Sequence, residues 1–129
     1  MNILDENIPH DQLDLLKSWR VPVRQIGFDV ARKGIQDDEI LPFLRQLRRP
    51  TFFTRDADFF KRTLCHGWYC LVYLAVEPSE AGLFARRLLR HREFDTQAKR
   101  MGTIIRVAQP GLMVWRLHAE QEANYAWYE

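Results

Sequence analysis

The sequence predicts an α/β fold, with one mostly parallel sheet held between helical layers. Three observations predict it. The run WYCLVYLAV, 68–76, is nearly apolar throughout, as a central parallel strand buried on both faces must be. Ala81, Phe84, Ala85 and Leu88 follow the i, i+3, i+4, i+7 spacing of an amphipathic helix. Strand-like and helix-like stretches alternate along the chain, the pattern of parallel strands joined by right-handed crossovers. No repeat, low-complexity segment or linker divides the 129 residues, so a single domain over 1–129 is expected.

The elements follow in order. Asn2-Ile3-Leu4 opens the chain as a short strand, ended by Asp5-Glu6-Asn7. Pro9 suits a first helical turn, and Leu13, Leu15, Leu16 and Trp19 form the stripe behind it. Val21, Val23 and Ile26 alternate as a second strand. Asp37, Asp38 and Glu39 sit where a helix macrodipole favours carboxylates, and Ile40, Phe43, Leu44 and Leu47 supply the buried face. Pro42 is compatible with that helix only within its first turn. Thr51 to Thr54 reads as a third strand, followed by Asp56 and Asp58 and a short turn over 59–63. The fourth strand is the run 68–76, and Ser79 is placed to cap the long helix after it. Gly102 ends that helical region. Thr103–Val107 and Leu112–Leu117 flank Gln109-Pro110-Gly111 and predict a C-terminal hairpin. The tail carries Tyr125, Trp127 and Tyr128, with two uses open to it: packing on the body, or self-association as a homodimer.

Composition narrows the function. Hydrophobic residues at 47% and charged ones at 28% exclude a disordered chain. No apolar run approaches the roughly 20 residues that span a bilayer, and the acidic N-terminus does not read as a signal peptide, so no membrane partner and a cytoplasmic setting are expected. Cys65 and Cys70 are spaced C-x4-C, which fits neither the common zinc spacings nor the redox one, and they read as small half-buried thiols. His10, His66, His91 and His118 show no ligand spacing. The net charge of +2 announces no nucleic-acid binder, but its distribution is uneven. Residues 1–39 hold eight acids against five bases, and residues 86–106 hold seven bases against Glu93 and Asp95. An anion held by metal on one side and by arginine on the other would meet both halves.

The acids share a topological position. Asp5 and Glu6 follow the first strand, Asp56 and Asp58 follow the third, and Asp37 to Glu39 open the helix before the third. Sites in open parallel sheets form outside the carboxyl ends of strands, where clusters so placed can converge. Converging carboxylates repel unless they share a proton or a cation neutralises them. Mg²⁺ takes carboxylates, waters and phosphate oxygens, and such a centre suits phosphodiester hydrolysis. Each acid also has a local use: Asp5 as a turn residue, Asp37 to Glu39 against the helix dipole, Asp56 and Asp58 as caps before Phe59.

Taken together, LDEN at 4–7, GIQDDEIL at 34–41 and FTRDADF at 53–59 resemble the signatures of PIN-like domains, in particular the small stand-alone subgroup. The likeness runs from residue 2 to about 117, with Gln36 where the subgroup often has Ser or Thr and with Pro42 unusual inside the helix. It implies a three-layer α/β/α sandwich and a ribonuclease dependent on Mg²⁺ or Mn²⁺, often the toxin of a bacterial toxin–antitoxin pair. By motif, Asp5 matches the first metal ligand, and Asp37 and Glu39 match the helix-start acids, with either one free to face the metal. Asp56 and Asp58 match the acidic pair, and Thr54 matches a hydroxyl that orients a carboxylate or a water. Asp5, Asp37, Asp56 and Asp58 are the expected metal set, and Glu6 and Asn7 support it. The expected partners are an RNA substrate and an antitoxin protein, with Arg55 and the arginines of 86–92 on RNA phosphates. The alternative is a PIN-like module that binds RNA or protein without cleaving. A phosphoacceptor receiver would need a lysine where Leu74-Ala75-Val76-Glu77-Pro78 has none, and in a haloacid-dehalogenase-type phosphatase the D-x-D pair follows the first strand.

Overall fold

The two-residue period of a strand sends neighbouring side chains to opposite faces, and the central strands are apolar on both. The computed structural model describes residues 1–127; Tyr128 lies outside them. Seven strands of the described residues form one sheet: β1 (Asn2–Leu4), β2 (Arg24–Gln25), β3 (Thr51–Thr54), β4 (Cys70–Leu74), β5 (Thr103–Ala108), β6 (Gly111–Arg116) and β7 (Ala123–Tyr125). Their order is β2-β1-β3-β4-β5-β6-β7; the first five are parallel, and β6 and β7 are antiparallel to their neighbours. Ile3, Phe52, Leu71 and Ile104 pack on one face, and Leu4, Phe53, Val72 and Ile105 on the other. All eight are shut from solvent, each contributing about 1.5–3 kcal/mol.

Among the described residues four α-helices accompany the sheet: α1 (His10–Ser18), α2 (Asp37–Arg45), α3 (Ala81–Arg90) and α4 (Gln97–Arg100). Leu13 and Leu16 of α1 share a cluster with Phe84, Ala85 and Leu88 of α3. Ile40 and Leu44 of α2 pack on the opposite face with Phe59 and Tyr69. The steps β2-α2-β3 and β4-α3-β5 move the same way across the sheet but pass over opposite faces. Their crossovers therefore have opposite hands, which corrects the expectation that all would be right-handed. Phe59, Leu64 and Tyr69 fill the α2 face beyond β3, so α3 lies on the face of α1.

Further differences are local. β2 is two residues long, with Ile26 continuing only as a bridge to Val30. Pro42 lies beyond the first turn of α2, exposed, in a helix that ends at Arg45. Ser79 does not cap α3: a 3₁₀ turn, Pro78–Glu80, leads into it, and a Glu80 oxygen accepts from the Glu77 amide at 3.2 Å. The expected turn after β3 is two 3₁₀ turns, Ala57–Phe59 and Arg62–Leu64. The hairpin is present as β5 and β6. Among the described residues the tail packs on the body. It adds β7 to the edge, sets Tyr125 against Phe94, and lays Trp127 on Phe84 with its indole nitrogen donating to the Ala108 carbonyl at 2.9 Å. No helix of the described residues is long and apolar enough to cross a membrane.

Candidate functional site

The strand order reverses between β1 and β3: the chain leaves β1 for β2 on one side and returns to β3 on the other. In an open sheet the crevice outside the carboxyl ends at such a reversal is where ligands sit. Asp5 directly follows β1, and Thr54 closes β3 beside it.

Asp5 is 5% exposed. Its amide donates to the Phe53 carbonyl at 2.8 Å, which extends the β1–β3 ladder by one residue and fixes the backbone. The Thr54 hydroxyl donates to the Asp5 carboxylate at 2.6 Å, and the amides of Glu6 and Asn7 also bond to it. Burial nevertheless pushes the Asp5 carboxyl above the usual range, and the charge of Asp37 adds to the rise against the pull of Thr54 and the amides. The Thr54 oxygen accepts in turn from the Asp56 amide at 3.0 Å, so one hydroxyl links the first and third strand ends.

Asp56 caps the 3₁₀ turn after it, one carboxylate oxygen accepting from the Asp58 amide at 2.9 Å. That turn delivers Phe59 into the core, edge-on to Phe52 at 5.3 Å. Asp37, the first residue of α2, comes within hydrogen-bonding reach of Asp56. Desolvation, followed by the charges of Asp56 and Asp58, pushes the Asp37 carboxyl up. Asp5, Asp37, Asp56 and Asp58 thus share one electrostatic neighbourhood.

Glu39 does not belong to it. Its carboxylate takes the Arg32 guanidinium at 2.6 and 2.7 Å and the Gln36 amide at 3.3 Å. The Arg32 hydrogen bonds hold its carboxyl below the usual range. Of the two helix-start acids left open in the sequence, Glu39 is engaged by Arg32 and Gln36, and Asp37 lies beside Asp56. The engagement of Glu39 also explains Gln36, because Glu39 satisfies the helix-start amide whatever residue stands there.

Two supporting residues, Gln25 and Gly27, escaped the sequence reading, while Glu6 was expected to support the site. Gln25, buried on β2, donates from its side chain to the Asp5 carbonyl at 3.0 Å and the Ile8 carbonyl at 2.7 Å, clamping the loop that leaves Asp5. A polar residue between Val23 and Ile26 was the available signal. Glu6 accepts from the Gly34 amide at 2.8 and 3.0 Å, which ties the loop before α2 to β1. Gly27, at φ +83°, passes so close that a Cβ there would run into the Glu6 carboxylate.

Arg55 turns away from the acids and donates to the Val76 carbonyl at 3.1 Å. It walls a cavity of about 600 Å³ at the carboxyl ends of β4 and β5, together with Tyr73, Arg106, Glu77 and Glu80. The arginines of α3 are placed otherwise than expected. Arg86 lies over the Trp19 ring at 4.5 Å, and Arg87 over Trp127 at 4.2 Å. The helix follows β4 and precedes β5, so it runs from the carboxyl edge to the amino edge and carries Arg90 away from Asp5.

Cys65 and Cys70 are both free thiols. Cys70 is buried 3.2 Å from the Thr103 hydroxyl, and burial pushes its thiol up to about 11. His66 accepts from the Trp68 amide at 3.0 Å and stacks on Tyr69. Among the described residues no three His, Cys, Asp or Glu side chains form a finished cage for an ion. The acidic group offers only oxygen donors, the set that hard divalent cations prefer. No protein-family model, curated protein or solved structure matches this chain, so its likeness to known proteins rests on the motifs themselves.

Proposed function

We propose that the chain is a PIN-like endoribonuclease dependent on Mg²⁺ or Mn²⁺, acting in the cytoplasm as the toxin of a toxin–antitoxin pair. The observation that carries the proposal is Asp5, a buried carboxylate at the β1/β3 reversal that feels the charge of Asp37, which in turn feels Asp56 and Asp58. Burying one carboxylate beside others is costly, and a bound cation offsets that cost. The mostly parallel sheet with helices on both faces and a C-terminal hairpin accommodates the three-layer sandwich of that family.

Asp5, Asp37, Asp56 and Asp58 would hold the ion. Once bound, a divalent ion activates water and stabilises the leaving oxygen in phosphodiester hydrolysis. Thr54 would hold one oxygen of the Asp5 carboxylate through its hydroxyl, at the join of the first and third strand ends. Glu39 belongs to the helix start and is left out of the metal set.

Isothermal calorimetry with Mn²⁺, paired with a labelled-RNA cleavage assay, tests this. Wild-type protein should bind Mn²⁺ and cleave, and Asp56→Asn should lose at least about a hundredfold in rate. Absence of both binding heat and cleavage would sink the nuclease reading and leave a PIN-like module that binds RNA or protein without cutting it.

A further inference from the structure

Sheet register places one row of side chains from the acidic site to the far edge. Thr54 pairs with Tyr73, Tyr73 with Arg106, Arg106 with Met113, and Met113 with Asn124. Pairing preserves the face, and the alternation of Phe52, Leu71 and Ile104 puts this row on the α2 side of the sheet. The four interstrand steps, each about 4.8 Å, make a track of about 19 Å. Tyr73, Arg106 and Met113 are all partly exposed, and Asn124 is exposed. Two cavities open along it. The one of about 600 Å³ includes Arg55, Tyr73 and Arg106, and a second of about 260 Å³ includes Arg106, Met113 and Asn124.

The chemistry of the row is that of a single-strand platform. Tyr73 offers an aromatic face, with Phe60 packed on one side at 6.4 Å. Among the described residues the Arg106 side chain has no hydrogen bond and no ion pair, its backbone being part of the β5 ladder. The carboxylate of Glu80 at the cavity wall is engaged, one oxygen by the Glu77 amide and the other by the Gln109 amide. Arg55 keeps its terminal nitrogens after bonding Val76 through Nε. The cavity is thus lined by two cations, Arg55 and Arg106, and two carboxylates, Glu77 and Glu80, with Arg106 the cation on the row itself.

We propose that the row Tyr73–Arg106–Met113–Asn124 is the binding track for the single-stranded RNA that flanks the scissile phosphate, with a base on Tyr73 and a phosphate on Arg106. This rests on the reading of the acidic site as one that handles RNA. The unstacked bases of a single strand meet an aromatic face, which a duplex keeps inside its stack.

The test is fluorescence anisotropy of the full chain with a short fluorescein-labelled single-stranded RNA in EDTA, so that cleavage does not intervene. Arg106→Gln should weaken binding about tenfold and lower the slope of log affinity against log salt by about one. Tyr73→Leu should weaken it at least about fivefold and leave the slope unchanged. Arg106→Lys should recover most of the affinity, and Arg90→Gln, the same charge loss on α3, should have no effect. Thermal melts followed by circular dichroism check that each variant folds. Wild-type affinity in Arg106→Gln and Tyr73→Leu, an equal loss in Arg90→Gln, or no RNA binding at all overturns the track. The two proposals fail separately. Expected binding without Mn²⁺-dependent cleavage keeps the track and removes the nuclease; cleavage with unchanged KM in both row variants does the reverse.

Discussion

Four acids drawn from three distant stretches meet at the carboxyl edge of the sheet, whereas seven bases concentrated within 86–106 disperse over the molecule. Asp5, Asp37, Asp56 and Asp58 come together because each follows or precedes a strand at the same edge. Arg86 and Arg87 cover aromatic rings, Lys99 pairs with Asp95 at 2.8 Å, and Arg100 is buried near the start of β3. Of the seven, Arg106 lines the cavity at the carboxyl ends of β4 and β5, because it lies on a strand and not on a helix. Proximity in sequence is thus a poor guide to a shared surface when the segment crosses the whole sheet, and position at a strand end is a good one.

Arg100 gives the largest test of that contrast. Its guanidinium donates to the Thr51 hydroxyl at 2.9 Å and to the Phe94 carbonyl at 2.7 Å, at 5% exposure. Arg100→Ala should cost about 2–4 kcal/mol in urea unfolding, whereas exposed Arg90→Ala should stay within about 0.5 kcal/mol. Equal effects would mean that the basic segment acts as one solvated face after all.

A smaller effect separates the acids of α2. Asp37→Asn should lower Mn²⁺ affinity about tenfold or more, because Asp37 shares the field of Asp5, Asp56 and Asp58. Glu39→Gln should leave it within about threefold, since Glu39 serves Arg32 and the helix start. The reverse order would remove Asp37 from the metal set.

The smallest is a slope with pH. Asp5 is raised in the folded chain, chiefly by burial, so it keeps its proton to higher pH than the unfolded chain does. Between the ordinary carboxyl value near 4 and the raised one, the folded state binds more protons, and metal-free stability falls as pH rises through that window. Asp5→Asn should flatten this fall and raise the melting temperature at neutral pH, because the amide still accepts from Thr54 without bringing a charge. A melting temperature unchanged between pH 4 and 7 in the wild type would show that burial does not perturb Asp5.

The legible parts of the chain were those with a local physical signature. Thr51–Thr54 and the core of 68–76 announced themselves as strands because both faces are apolar. The hairpin was readable from Gln109-Pro110-Gly111, where a turn chemistry stands between two runs. β2 was legible only as a longer strand over 21–26, of which Arg24–Gln25 pair with β1, and β7 was not readable: a three-residue edge strand buries too little to leave a pattern, and pairing with β6 defines it. Ser79 misled because a serine can cap, but the turn Pro78–Glu80 had already supplied the start of α3.

For the candidate site, sequence alone determined which acids could meet, since an acid at the end of a parallel strand must emerge at the carboxyl edge wherever that strand sits. It also determined that Thr54 would stand beside them, one residue past the apolar pair Phe52-Phe53. The tertiary structure decided the rest: that Asp37 faces the group while Glu39 goes to Arg32, that Gln25 and Glu6 hold the loops around Asp5, and that α3 shares the face of α1. These outcomes depend on hydrogen-bond partners from 3 to 28 positions away and on which face of the sheet was already filled. Periodicity carries neither kind of information, because it records what a residue avoids, which is water, and not which partner it finds.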